Sequence, residues 1–270
     1  MDNHRLTDAQ LHFYRENGFL KIEPFLGPAA LSVYREQFDA AVRHRLENDV
    51  ALMTNQKEPN HFFARVFVQC NRLMDTHEGL RHLMMDARFG EMAAQLAGVA
   101  GVRIFHDQAL IKPAHGNPTV WHIDAPFWPF DSRQALSYWL ALDDATLENG
   151  CLSFLPGTHQ TAKLDKGIRG AVNVGELFNL YPHWRRIVPK PVPVKAGSVI
   201  WFNGCTAHAA GANLTHHARR ALTCIFFPDG STFNGKRNAA LPESYYQQLS
   251  RGDVLKNNTY FPLLWRQHGV

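Results

Sequence analysis

The period of the polar–apolar pattern changes once along the chain, near residue 100. Ahead of that point apolar residues recur at helical spacing. Thr7-Asp8-Ala9-Gln10 is a capping box, Leu11, Tyr14 and Arg15 continue the turns, and Asn17-Gly18 ends them, which predicts a first helix. Phe19–Ile22 reads as a short strand. Pro28 opens a longer helix, with Leu31, Tyr34, Phe38, Ala41, Val42 and Leu46 three and four residues apart. Two shorter helices are expected around Gly79–Met85 and, capped by Asp86 and stopped by Gly98, over Ala87–Leu96.

After Gly101 the pattern shifts to short β-rich runs: Val102–Ile111, Ala135–Leu142, Leu152–Leu155, Ser198–Phe202 and Ala221–Phe227. Turn clusters at Glu148-Asn149-Gly150 and Asn203-Gly204 separate them. Several strands without crossover helices predict an antiparallel sandwich or jelly roll, not a parallel α/β sheet. Residues 160–190, rich in Gly and Pro, read as an insertion over a pocket mouth. With no repeat, low-complexity tract or linker, one domain over 1–270 is expected. It comprises a helical lead-in at 1–100, a jelly-roll core at 101–230 and a C-terminal segment at 231–270.

Composition narrows the partners. The chain has 270 residues, 45% hydrophobic and 19% charged, as in an ordinary soluble globular protein. Its net charge of +4 comes from scattered Lys and Arg, which argues against a dedicated nucleic-acid surface. The N-terminal stretch Met1–Thr7 lacks the apolar core of a secretory signal, and no apolar run is long enough to span a bilayer. Cys70, Cys151, Cys205 and Cys224 lie far apart with no Cys-x-x-Cys, which fits a reducing compartment. A cytoplasmic protein acting on a small molecule is the expectation.

The chemistry gathers at Trp121-His122-Ile123-Asp124. A His-x-Asp pair by itself arises about once by chance in a chain with so many His and Asp residues. A third imidazole changes its weight. Two imidazoles and one carboxylate suit Fe(II) and leave open positions for substrate and oxygen. In a strand, residues two apart point the same way, so His122 and Asp124 can share one interior. His208, directly after the strong strand Ser198–Phe202, is the preferred third ligand. His106, His115, His159, His216 and His217 compete for that role. His159 reads as a loop residue beside the Gly157 turn, and His216 and His217 as solvated. Arg219 and Arg220 open an apolar strand, where a buried guanidinium needs an anion and pairs bidentately with a carboxylate. The acidic stretch Asp143–His159 reads as hairpin and scaffold, not as an acid/base pair.

Three segments carry a resemblance: Trp121–Asp124, the block WLALDDATLENGCLSFLPGTH at 139–159, and GSVIWFNGCTAHAAGANLTHHARR at 197–220. Together with FYRENGFLKIEPFL at 13–26, they make the chain similar to the phytanoyl-CoA dioxygenase family of Fe(II)/2-oxoglutarate oxygenases, over nearly its whole length. The resemblance implies a mainly β protein with a helical N-terminal part, a cupin-like double-stranded β-helix. It implies that His122, Asp124 and His208 hold iron and form the catalytic centre. It further implies that Arg219 pairs with the distal carboxylate of 2-oxoglutarate, with Arg220 second choice and Trp139 lining the cosubstrate pocket. Gln108 and Lys112 are expected as further cosubstrate contacts, and Phe127 and Trp128 as a substrate-facing wall. Relatives often carry Ser two residues after the distal His; here it is Ala210.

The activity implied is oxidation by O2, most simply hydroxylation of a lipid-derived, amino-acid-derived or secondary metabolite. Succinate and CO2 are released, and ascorbate supports the iron. Desaturation, epoxidation or cyclisation uses the same cofactor chemistry. An inactive jelly-roll binding protein or a metal-dependent hydrolase is the rival from another class. Halogenation is disfavoured by the carboxylate of Asp124.

Overall fold

A computed structural model of the protein describes residues 5–48, 53–54, 66–168 and 171–267. Most of the Met1–Thr7 stretch and part of the 160–190 segment therefore lie outside the described residues.

The helical lead-in forms as its capping signals dictate. Helix α1, Asp8–Asn17, carries the Thr7/Gln10 capping box and stops at Gly18 in the left-handed conformation, φ 79°. A Cβ on Gly18 would meet Thr206 Oγ1 at 2.3 Å and His159 Nδ1 at 2.5 Å, so the tight approach requires glycine as well. Helices α2 (Pro28–Asn48), α3 (Glu78–Met84) and α4 (Ala87–Ala97) follow the predicted positions closely. Strands β1 (Phe19–Ile22), β2 (Met53–Thr54) and β3 (Val68–Asn71) also lie in this region. The pattern missed β3, which is short and half polar.

The remaining strands are β4 (Gly101–Lys112), β5 (Thr119–His122), β6 (Leu136–Ala141), β7 (Leu152–Phe154), β8 (Lys190–Val192), β9 (Val199–Asn203), β10 (His208–Ala210), β11 (Arg219–Pro228) and β12 (Leu263–Arg266). They form two antiparallel sheets. The larger runs β1-β9-β6-β11-β4-β3-β2, with β12 also on β4; the smaller runs β5-β10-β7-β8. Residues of both sheets line one cavity between them, the layout of a jelly roll. The C-terminal segment is not an appendage, because β12 returns to the large sheet opposite Gly101–Arg103.

The large sheet presents two faces. Leu136, Tyr138, Leu140, Val199, Trp201, Leu222, Cys224 and Phe226 pack with α2, α3 and α4 residues in the main core. The alternate positions face the cavity. Buried Arg45 of α2 donates to the carbonyls of Asn71 (2.6 Å) and Arg72 (3.0 Å), which fixes the end of β3. The Asp107 carboxylate, its pKa pushed up to about 6 by burial, accepts from the backbone N–H groups of Leu73 and Met74 at the same corner.

The segment at 160–190 packs on the site's outer wall, through the Phe178 ring against Trp121 and Gly167 beside Phe127. Among the described residues, none of it lines the cavity.

Candidate active site

Strand pairing brings the two histidines together. In the small sheet His208 of β10 opposes His122 of β5, and their ring centroids are 4.1 Å apart. Asp124 does not continue the strand as period-two reasoning predicts. The chain turns after His122, and Asp124 takes a helical conformation (φ −88°, ψ −41°) at the head of the 3-10 turn Ala125–Phe127. Two backbone bonds hold that turn: the N–H groups of Asp124 and Ala125 both donate to the Gly204 carbonyl at 2.9 Å. Gly204 is itself pinned, since a Cβ there would meet the Trp128 ring at 2.2 Å. Turn or strand, the carboxylate reaches the same point. Asp124 oxygens lie 3.5 Å from His122 Nε2 and 3.9 Å from His208 Nε2, and one ligand atom from each residue falls within 4.8 Å of the others.

The tautomers are fixed by backbone acceptors. His122 Nδ1 lies 2.8 Å from the Val120 carbonyl oxygen, and His208 Nδ1 3.0 Å from that of Thr206. A carbonyl only accepts, so each Nδ1 carries its proton and each Nε2 turns a lone pair toward Asp124. Burial, with His122 adjacent, lowers the His208 pKa to about 4, so its imidazole is neutral and able to ligate. Among the described residues this is the one cluster of His, Cys, Asp and Glu with metal-holding geometry. Its donor set, two neutral imidazoles and a carboxylate on one side of a cavity, fits Fe(II).

The other histidines are accounted for. His159 Nε2 lies 3.1 Å from the Arg15 carbonyl oxygen and ties the 3-10 turn Thr158–Gln160 to the end of α1. His216 and His115 meet at 3.3 Å on the exposed surface, and His217 is exposed too.

The two arginines of β11 separate cleanly. Arg220 N–H and Nε donate to Asp143 Oδ2 at 2.9 Å, Nη2 to Asp143 Oδ1 at 2.8 Å, and Nη1 to Asp39 at 2.7 Å. It is fully matched on the helix side of the sheet. Arg219, 3% exposed, points the other way, with one bond from Nη1 to the Gly150 carbonyl at 2.8 Å. Its guanidinium lies over the Trp139 ring, 4.9 Å from the centroid, and its Nε is buried with no partner. Burial lowers its pKa to about 10, still charged at neutral pH. A buried cation with an orphan N–H is costly unless an anion arrives. The donor set fits the carboxylate of 2-oxoglutarate.

Arg219, Trp139, Gln108, Phe127 and Trp128 line the same cavity of about 530 Å³ as His122, Asp124 and His208. Lys112 does not. Its ammonium donates to the Asn117 carbonyl at 2.6 Å and to that of Val66 at 3.3 Å. With Arg219 as its register partner, a second cation is directed to backbone carbonyls instead of toward the cavity. Burial and Arg219 lower its pKa to about 7. Of the expected wall, Phe127 is partly open, whereas Trp128 is 3% exposed beneath Gly204.

Sequence reasoning missed Gln69, Asn71, Ser137, Thr223 and Asn238, which also line the cavity, and read His106 only as a rival ligand. Polar residues two apart in an apolar strand, such as His106 and Gln108, were the available signal. Asn238 sits in a stretch with no periodicity to read. It is held by its Nδ2 bond to the Phe127 carbonyl at 3.0 Å.

Comparison with known proteins agrees with the fold. The chain is 26% identical over 249 residues to a methylphosphonate hydroxylase of Gimesia maris, covering 92% of this chain and 88% of that one. Its fold matches the non-heme 2-oxoglutarate-dependent carbocyclase SnoK of nogalamycin biosynthesis, with a TM-score of 0.78, 24% identity and 96% of both chains covered. It also matches the epimerase SnoN solved with Fe3+, 2-oxoglutarate and nogalamycin RO, with a TM-score of 0.74, 23% identity and 96% and 98% covered. The family model for phytanoyl-CoA dioxygenase matches residues 14–221. The chain belongs to the phytanoyl-CoA dioxygenase family, an Fe/2-oxoglutarate-dependent group of oxygenases.

Proposed function

We propose that this chain, as one oxygenase domain, holds Fe(II) through His122, Asp124 and His208 and binds 2-oxoglutarate through Arg219 over Trp139. It then hydroxylates a small organic molecule with O2, releasing succinate and CO2, and ascorbate sustains turnover. One observation carries the reading: Arg219, a buried cation whose Nε has no partner, lines the same cavity as the three clustered ligand residues. A binding module or a simple hydrolase has no use for that pairing. The name of the Gimesia maris relative, a hydroxylase, supports hydroxylation as the outcome.

When bound, the iron and 2-oxoglutarate supply the oxidising chemistry. The protein's own residues do the rest. Val120 and Thr206 carbonyls hold the imidazoles in the ligating tautomer, a backbone version of the support that metal histidines receive. Asp124 contributes the single negative charge. Arg219 neutralises the distal carboxylate and, with Trp139 beneath it, sets the cosubstrate's direction. Phe127 and Trp128 form a wall that limits water. The free, buried Cys70, Cys151, Cys205 and Cys224 fit a reducing, cytoplasmic setting, and no described helix is long and apolar enough to cross a membrane.

Anaerobic mixing of the protein with Fe(II) and 2-oxoglutarate should give the weak visible charge-transfer band of the chelate. If no band forms and 2-oxoglutarate binding is independent of metal, the oxygenase reading fails.

A further inference from the structure

The cavity face of β4 carries two polar side chains, His106 and the Gln108 first expected beside the cosubstrate, that stand outside the set proposed above to hold iron and 2-oxoglutarate. β4 pairs with β11 through a register shift: Ile225 opposes His106, but Phe226 opposes Ile104. Phe105 is the extra residue of a bulge, a device that re-aims side chains beside active sites. Ile104 accordingly stays in the helix-side core, Phe105 joins the apolar cluster beside the cavity, and His106 lines the cavity.

His106 is 3% exposed, with Nδ1 3.1 Å from the Asp107 carbonyl oxygen. Nδ1 therefore carries the proton, and Nε2 is a lone-pair acceptor with no partner among the described residues. Burial lowers the ring pKa to about 3, which keeps it neutral. Two residues on, the Gln108 carboxamide lines the same wall and has no hydrogen-bond partner among the described residues. In the His106 row, beyond Ile225, Ser137 Oγ is buried without a partner and also lines the cavity.

We infer that this wall binds a hydroxyl group of a neutral substrate: the O–H donates to His106 Nε2 and the oxygen accepts from the Gln108 carboxamide. The inference rests on the iron and 2-oxoglutarate reading of the cavity and names the substrate class for it. A hydroxyl is the smallest group that donates and accepts at once. A carboxylate or phosphate dianion has no proton for Nε2 and meets its lone pair. An ammonium donates but cannot accept from Gln108, and the Arg72 charge already bears on His106. The site thus selects a hydroxylated, uncharged molecule over an acid or an acyl-CoA.

The test uses the iron-loaded protein with saturating 2-oxoglutarate and three probe sets: methyl glycosides and cyclitols, the matching uronic acids, and fatty acyl-CoA esters. Succinate release above the substrate-free rate is followed against probe concentration. Neutral hydroxylated probes should stimulate release. His106→Leu should raise their KM about 10- to 100-fold, the range for a polar partner left unpaired, with iron and 2-oxoglutarate binding unchanged by calorimetry. His106→Gln, which keeps an acceptor, should recover most of the loss. O-Methylation of the recognised hydroxyl should cost the unmodified protein the same factor and His106→Leu nothing more, a comparison that stands even if one variant folds poorly. Silence from every neutral probe, stimulation by acids or acyl-CoA alone, or a KM indifferent to His106→Leu overturns the inference while iron and 2-oxoglutarate still bind. Failure of the unmodified protein to bind iron and 2-oxoglutarate overturns instead the site reading beneath it.

Discussion

The two faces of the large sheet are built from the same strands and are almost equally buried, yet they differ in one property. On the helix side, Tyr138, Trp201 and Phe226 pack edge-on and tilted against one another, and Arg220, at the strand's start, has its guanidinium matched by Asp143 and Asp39. On the cavity side, residues one position away leave polar groups open: Arg219 Nε, Ser137 Oγ, the Gln108 carboxamide and His106 Nε2. Burial alone does not distinguish a structural face from a working one, and neither does an unmatched atom by itself, since Trp201 Nε1 and Arg45 Nε are orphaned on the helix side. What marks the working face is unmatched polar groups gathered on residues that line one cavity. A buried orphan costs stability, about 1–3 kcal/mol for a typical group, so a site carrying several persists where a ligand offsets them.

That contrast can be broken by substitution on either face. The largest effect belongs to the cavity side. His208→Ala should abolish 2-oxoglutarate turnover and strip iron from the protein while leaving the melting temperature of the metal-free form nearly unchanged. His159→Ala and His216→Ala should keep iron after gel filtration and at least part of the turnover. Retention of iron by His208→Ala, with its loss from either of the others, would overturn the ligand set. Next comes the helix side. Phe226→Ala, at a fully buried position, should cost about 3–5 kcal/mol of stability in denaturant titration, yet its folded fraction should still bind 2-oxoglutarate. A stable Phe226→Ala protein with lost binding would erase the distinction between the faces. Gly204→Ala places a methyl against the Trp128 ring and should cost about 1–3 kcal/mol. Because Gly204 also anchors the Asp124 turn, iron affinity should fall with it.

The smallest effect is a pH slope. His106 titrates at about 3 when folded, because it is buried, against about 6.5 unfolded. Between those values the unfolded chain binds the extra proton, so this contribution to stability is present above about pH 6.5 and is lost as the pH falls toward 3. Metal-free His106→Leu should lose less stability than the parent between pH 6.5 and 4. Equal slopes in the two proteins would show that His106 is not held neutral.

Much of this was legible in the sequence, for reasons that particular residues make plain. The capping signals of α1 and α4 are local, so their helices fall where Thr7, Gly18, Asp86 and Gly98 place them. His208 was readable because it follows a strong apolar strand, whereas His122 ends a four-residue strand of even burial that no pattern announced and was legible only through its His-x-Asp spacing. The Asp124 carboxylate does reach His122 and His208, but its place in a turn rests on the Gly204 carbonyl, eighty residues away, which no local pattern encodes. β3 was hidden because Val68-Gln69-Cys70-Asn71 has half-polar alternation, and with it went Gln69 and Asn71. Strand β6 is buried at every position, so alternation could not tell Ser137 and Trp139 from Tyr138. The direction of Lys112 was not legible for another reason: it shares a face with Gln108, but its long stem lets the ammonium reach the Val66 and Asn117 carbonyls.

The adjacent arginines offer the sharpest trial of the whole account. Calorimetry of 2-oxoglutarate binding to the Fe(II)-loaded protein, to Arg219→Ala and to Arg220→Ala compares a cation facing the cavity with one matched on the helix side. Arg219→Ala should weaken binding by about 2–5 kcal/mol, the loss typical of a truncated buried charge pair, with iron content unchanged. Arg220→Ala should lower thermal stability and leave the affinity within about twofold. Weak binding in Arg220→Ala with normal binding in Arg219→Ala would contradict the account at its centre.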